Sequence, residues 1–154
     1  MPLNSEIIIS DTSCLILLAN INELSILKKL GKEVIVTPEI SLEFGKPLPD
    51  WIKIRSAGDK HYQKLLDREI DKGEASAIVL SLEIVDSILI IDDLKGRKVA
   101  EELGVKYSGT LGLILRAKQE GFITSVKPII DKIRNTNFRF SENLLTTVLE
   151  LAGE

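Results

Sequence analysis

Residues 87–112, SILIIDDLKGRKVAEELGVKYSGTLG, carry the pattern that decides the fold. SILII (87–91) is a short apolar run of strand length, and it stops at two aspartates. LKGRKVAEELG (94–104) then reads as a helix stopped at Gly104, and VKYS (105–108) as a further short strand. TLGLILRAKQEG (110–121) opens another helix. Strands separated by helices imply a parallel sheet with helices on its faces.

The same alternation extends outward. EIIIS (6–10) is a continuous β-branched run, the mark of a strand buried on both faces. The stretch 13–31 reads as helical with a break around Asn20–Asn22 and a stop at Gly31. EVIVT (33–37) is a strand, and Pro38 opens a helix that Gly45 closes. KPLPDWIKIRSAGD (46–59) is the most loop-like segment, with a short strand at 51–55. Helices are expected at 60–70 and 71–85, the latter with Ala75, Ile78, Val79 and Leu82 along one stripe, and again at 125–135 and 141–153. Neither a repeat nor a shift in composition marks a second domain. The expectation is one α/β domain over 1–154: a three-layer sandwich with a short, mostly parallel sheet of about five strands.

Composition narrows the function classes. With 44% hydrophobic and 28% charged residues the chain is built to fold. No apolar stretch approaches the roughly 20 residues of a membrane span. The start, MPLNSEIIIS, lacks the basic segment of a secretory leader, so a cytoplasmic protein is expected. A single cysteine, Cys14, excludes an internal disulfide and a thiolate zinc site, and it is expected to pack as a small apolar group. The lone His61, expected at the surface, leaves histidine-based chemistry poorly supplied. A net charge of −3 argues against a broad basic surface that coats nucleic acid, but not against an enzyme with an acidic centre.

The acids are where the chemistry lies. Ligands of parallel sheets bind at the carboxyl ends of the strands, where Asp11, Asp92 and Asp93 stand. Each has a local reading. Asp11 and Asp92 or Asp93 can be helix N-caps, Asp71 with Glu74 resembles a capping box, and Glu43 can be an exposed helical residue. Together, Asp11, Glu43, Glu74 and one of the paired aspartates form a hard oxygen site suited to Mg²⁺ or Mn²⁺ and to phosphodiester hydrolysis.

DTS after the first strand, the acid in SLEFG, DKGEASAIVLS and then the long ILIIDDLKGRKVAEELGVKYSGTLGLILRAKQEGF stretch resemble the PIN-domain family, over roughly residues 6 to 140. The likeness is to its prokaryotic branch of VapC-type toxin ribonucleases. The resemblance implies a metal-dependent ribonuclease with Asp11, Glu43, Glu74 and Asp92 or Asp93 as the acidic cluster. Thr12 or Ser13 would be the supporting hydroxyl. Many members have Asp where Glu74 stands, and a hydroxyl where this chain has Ile91. The family spacing favours Asp93 as the fourth acid, leaving Asp92 to cap the helix or to make a water-mediated contact. Partners implied are an RNA substrate, an antitoxin chain and a second copy of the protein, the last through the apolar surfaces of 13–30 and 110–121.

Lys95 and Arg97 can meet RNA phosphates, or lie on a solvated face paired with Glu101 and Glu102. Thr110 opens a helix, as a phosphate site or as an ordinary cap. Trp51, Tyr62 and Tyr107 are expected in the core or at its rim. Two rival readings remain: a PIN-like module that binds RNA or protein without cutting, and a phosphotransfer receiver. The latter is disfavoured because EVIVT ends in Thr37 and Pro38 rather than in an aspartate.

Overall fold

A computed structural model describes residues 6–154, which form five strands and nine helices. In chain order they are β1 (Ile7–Ser10), α1 (Thr12–Asn20), α2 (Ser25–Leu30), β2 (Glu33–Val36), α3 (Pro38–Phe44), β3 (Ile52–Ile54) and α4 (Lys60–Leu66). Then follow α5 (Lys72–Glu83), β4 (Ser87–Ile90), α6 (Leu94–Glu102), β5 (Tyr107–Ser108), α7 (Thr110–Gln119), α8 (Lys127–Arg134) and α9 (Glu142–Leu151). The leader reading falls partly on residues 1–5, which lie outside the described residues. No helix among the described residues is long and apolar enough to cross a membrane.

The strands form one sheet in the order β3-β2-β1-β4-β5, and every neighbouring pair is parallel. The continuous apolar runs explain the central position of β1, β2 and β4. Ile8, Ile9, Val34, Ile35, Val36, Ile88, Leu89 and Ile90 are all buried, which requires helices on both faces. β3 and β5 are short edges of three and two residues. The chain runs outward from β1 through β2 to β3, then returns to place β4 on the other side of β1. This reversal opens a crevice between the carboxyl ends of β1 and β4.

The helix break expected near Asn20–Asn22 is present, with Asn22 in the left-handed region at φ 57°. Gly45 closes α3 at φ 71°, a conformation that favours glycine. One expectation is corrected. Leu82 is 43% exposed, and α5 is instead buried all round from Ala75 to Leu80. The reason is its position, packed by α3, α4 and α6 as well as by β1 and β4. Many apolar side chains of 13–30 and 110–121 are taken up inside the molecule. Leu15, Leu17, Leu18, Leu27, Leu30, Leu113 and Ile114 are buried, and α7 packs against both α2 and α9.

Candidate active site

The register of the two central strands places the acids. Ser10 pairs with Ile90, so the chain leaves both strands at the same level. The Asp11 N–H donates to the Ile90 carbonyl at 2.9 Å. The Asp92 N–H returns the contact, donating to Asp11 Oδ2 at 3.2 Å. Asp11 Oδ1 accepts from the Cys14 N–H at 2.8 Å and so caps α1. Asp11 is therefore a cap, yet it is only 2% exposed and forms no ion pair among the described residues. Burial, first, and the Asp92 carboxylate push it from 3.8 up to about 7, against the two backbone N–H donors.

Two helices bring further carboxylates to this edge. The Thr12 hydroxyl donates to Glu43 Oε1 at 2.8 Å, which ties the end of α3 to the start of α1. Glu43 is raised above its usual value by partial burial and by Asp71, whose carboxyl shares a hydrogen bond with it. Asp71 caps α5 by accepting from the Gly73 N–H at 2.7 Å. Glu74, in the first turn of α5, is pushed up to about 7, by burial first and then by Asp93 and Asp71. Asp11, Thr12, Ser13, Glu43, Asp71 and Glu74 line one cleft of about 170 Å³. Asp71 thus belongs to the site, although its spacing to Glu74 reads in the sequence only as a capping box.

The packing beneath is specific. Thr37 caps α3 and its hydroxyl meets that of Ser76 on α5 at 2.7 Å, both fully buried. This pair pins together the helices that carry Glu43 and Glu74. Gly73 lets Glu43 cross the start of α5, since a Cβ there would lie 2.0 Å from Glu43 Oε1. Ile91, where a hydroxyl is common in the family it resembles, is fully buried. Its Cδ1 would be 2.7 Å from a Cβ at Gly96, so the isoleucine fills the space under the first turn of α6.

The paired aspartates divide their work in the reverse of the expected way. Asp93, not Asp92, caps α6, its Oδ2 accepting from the Gly96 N–H at 2.9 Å. Asp92 turns inward beside Asp11 and accepts from both the N–H (2.8 Å) and the hydroxyl of Thr110. The cause is the chain direction: alternate residues leave the strand end to opposite sides, and the second is the one adjoining the helix. Asp93 nevertheless stays close enough to act on Glu74. Thr110 is corrected too. It is fully buried with both donors engaged by Asp92, so it neither faces a phosphate nor occupies the cap position, which Gly109 holds.

Arg97 lies over the Tyr107 ring at 5.2 Å, rather than pairing with Glu101. A Cβ at Gly109 would lie 3.0 Å from Asp92 Oδ1 and 3.6 Å from Arg97 Nη1, so the guanidinium flanks the acids. Lys95 is exposed and lines neither the cleft nor the groove beside it. Trp51, Tyr62 and Tyr107 pack on the rim of the core, His61 is exposed and Cys14 is fully buried.

A family model described as a PIN domain matches residues 7–154, spanning the whole sheet and every acid above. The chain is a PIN domain. PIN domains are generally nucleases that use divalent metal ions. No curated protein matches the chain. The donor set of this PIN domain fits such an ion: all oxygen, crowded, and with none of Asp11, Glu43, Asp71, Glu74, Asp92 and Asp93 in an ion pair among the described residues. Two of these acids are raised to about 7, by burial first and then by the neighbouring carboxylates. Among the described residues, no three acids already converge as a ready ligand cage, and Asp11, Asp92 and Asp93 each accept a hydrogen bond from a backbone N–H.

Proposed function

We propose that this PIN domain is a Mg²⁺- or Mn²⁺-dependent endoribonuclease of the VapC-related branch, the toxin half of a toxin–antitoxin pair. The observation that carries the reading is Asp11: a buried carboxylate, raised to about 7, at the switch point of a parallel sheet and in no ion pair among the described residues. When bound, a divalent cation would acidify a water and offset charge on the phosphate oxygens. Asp11, Glu74, Asp92 and Asp93 would hold it, with Glu43 oriented by Thr12. Asp11 is kept from turning away by its bonds to Cys14 and Asp92. Arg97 is the candidate contact to the RNA backbone. RNA rather than DNA, the antitoxin, the second copy and a cytoplasmic setting rest on the resemblance and composition.

Purified protein mixed with single-stranded and structured RNA, with Mn²⁺ or with EDTA, tests the reading. Cutting is expected only with the cation, and Glu74→Gln should abolish it while the fold survives. Asp11→Asn should also be inactive but is the weaker control, because its amide would face a backbone N–H and cost stability. Metal-independent cutting, or no cutting by wild type, rejects the proposal. The reading as a binding module without activity is favoured by one observation, the buried Ile91 where many members of the family carry a hydroxyl. A calorimetric Mn²⁺ titration separates the two, since such a module gives no binding that depends on Glu74.

A further inference from the structure

Beside the acid cleft runs a larger groove of about 650 Å³ for which the acids do not account. Helices α6, α7 and α9 supply its walls together with residues 138–141 of the loop before α9. Asp92 and Asp93 stand among the lining residues, and Ser13 lines both the groove and the cleft, so one leads into the other.

Four other lining residues stand out: Arg97, Phe138, Arg139 and Phe140. The loop is held in place. The Phe138 N–H donates to Thr136 Oγ1 at 3.2 Å, and Thr136 Oγ1 donates to the Ile133 carbonyl at 2.6 Å. Arg139 Nη1 donates to the carbonyls of Thr136 (2.7 Å) and Phe138 (3.1 Å). Both phenylalanines rest on the core while remaining partly exposed. Arg97 is braced on the Tyr107 ring. Neither arginine is in an ion pair among the described residues.

Unpaired guanidiniums suit phosphates, and accessible rings suit base faces of any sequence. A polynucleotide uses both at once, and the groove leads to the acids that would cut its backbone. We propose that this groove binds the single-stranded nucleotides flanking the cut, with phosphates on Arg97 and Arg139 and bases against Phe138 and Phe140. The proposal rests on the nuclease reading for its substrate, and it is tested separately from it.

The test is binding of a fluorescent single-stranded RNA about twelve nucleotides long, measured by anisotropy in EDTA. Phe140→Leu keeps apolar volume and removes the ring; Arg97→Gln removes the charge. Melting curves confirm folding, and Phe138→Leu replaces Phe140→Leu should the latter unfold. Each variant should weaken binding about five- to tenfold. Arg97→Gln should also reduce the slope of log affinity against log salt by about 0.7. Unchanged affinity in folded variants overturns the proposal, as does an unchanged affinity for RNA accompanied by lost binding of a protein partner. If wild type cuts RNA but binding ignores both substitutions, only the groove assignment falls. If RNA binding depends on both residues but nothing is cut, the groove stands and the nuclease reading falls.

Discussion

Asp92 and Asp93 are adjacent in the chain, yet their carboxylates act on different neighbours. Asp92 raises Asp11, and Asp93 raises Glu74. Asn is about as good an N-cap as Asp, so Asp93→Asn keeps the bond to Gly96 and removes only the charge. The expected outcome is an unchanged melting temperature and a lower pKa at Glu74, read by carbon NMR of the carboxyl groups. Asp93→Ala removes the cap as well and should cost about 0.5–2 kcal/mol in chemical denaturation. A stable Asp93→Ala protein would contradict the cap. Comparing RNA cleavage by Asp92→Asn and Asp93→Asn then identifies the fourth ligand, which cap geometry by itself does not do.

At the scale of elements, the site depends on how three helices start and end. α1 and α5 begin at it, α3 ends at it, and the Thr37–Ser76 pair fixes the distance between α3 and α5. Gly73 is where this arrangement is most exposed to a small change. An added methyl would meet the Glu43 carboxylate, the far end of a flexible side chain, so the side chain moves and the backbone stays. Gly73→Ala is therefore expected to fold as stably as wild type, with Ala the better helix former. Glu43 would be displaced from Thr12, and metal affinity and cleavage should fall together by tenfold or so. An active, tightly metal-binding Gly73→Ala protein would show that Glu43 does not need its present position.

Across the whole molecule, the site sets how stability responds to pH. Asp11 rises from 3.8 to about 7, Glu74 from 4.5 to about 7, and Glu43 moves in the same direction. An acid whose folded pKa is raised binds more protons folded than unfolded. Its contribution is therefore complete below about pH 4 and is lost as pH climbs through 7. In EDTA the protein should melt at a higher temperature at pH 5 than at pH 8. Mn²⁺ should raise the pH 8 value and do little at pH 5, since protons compete for the same oxygens. A flat profile in EDTA would remove the argument that these carboxylates repel one another. Glu154 works in the opposite sense. It accepts from Lys118 and Ser125 and from the N–H groups of Val126 and Lys127, and it is lowered to about 2. Its contribution is lost only as pH falls below about 4.

Much of this was legible in the sequence because it is local. Continuous β-branched runs such as EIIIS and EVIVT have one stable use, a strand covered on both faces, and their alternation with helices dictates a parallel sheet. Asp11, Glu43, Glu74 and the DD pair could be singled out because strand ends and first turns are readable from residue order. Long-range geometry was not readable. Leu82 lies on a helical stripe but faces outward, because which sides of α5 are covered depends on five other elements. Asp71 does cap α5, and Glu74 bonds back to its N–H as the spacing suggested, but only the approach of α3 brings Glu43 to it. Thr110 looked ready for a phosphate because the carboxylate that takes its donors is Asp92, eighteen residues away in the chain. The groove of Phe138, Arg139 and Phe140 had no signal, since three residues of a loop become a surface only when α9 folds back against α7. Period and capping chemistry are set by neighbours in the chain; which carboxylates meet, and which hydroxyls are already taken, is set by packing.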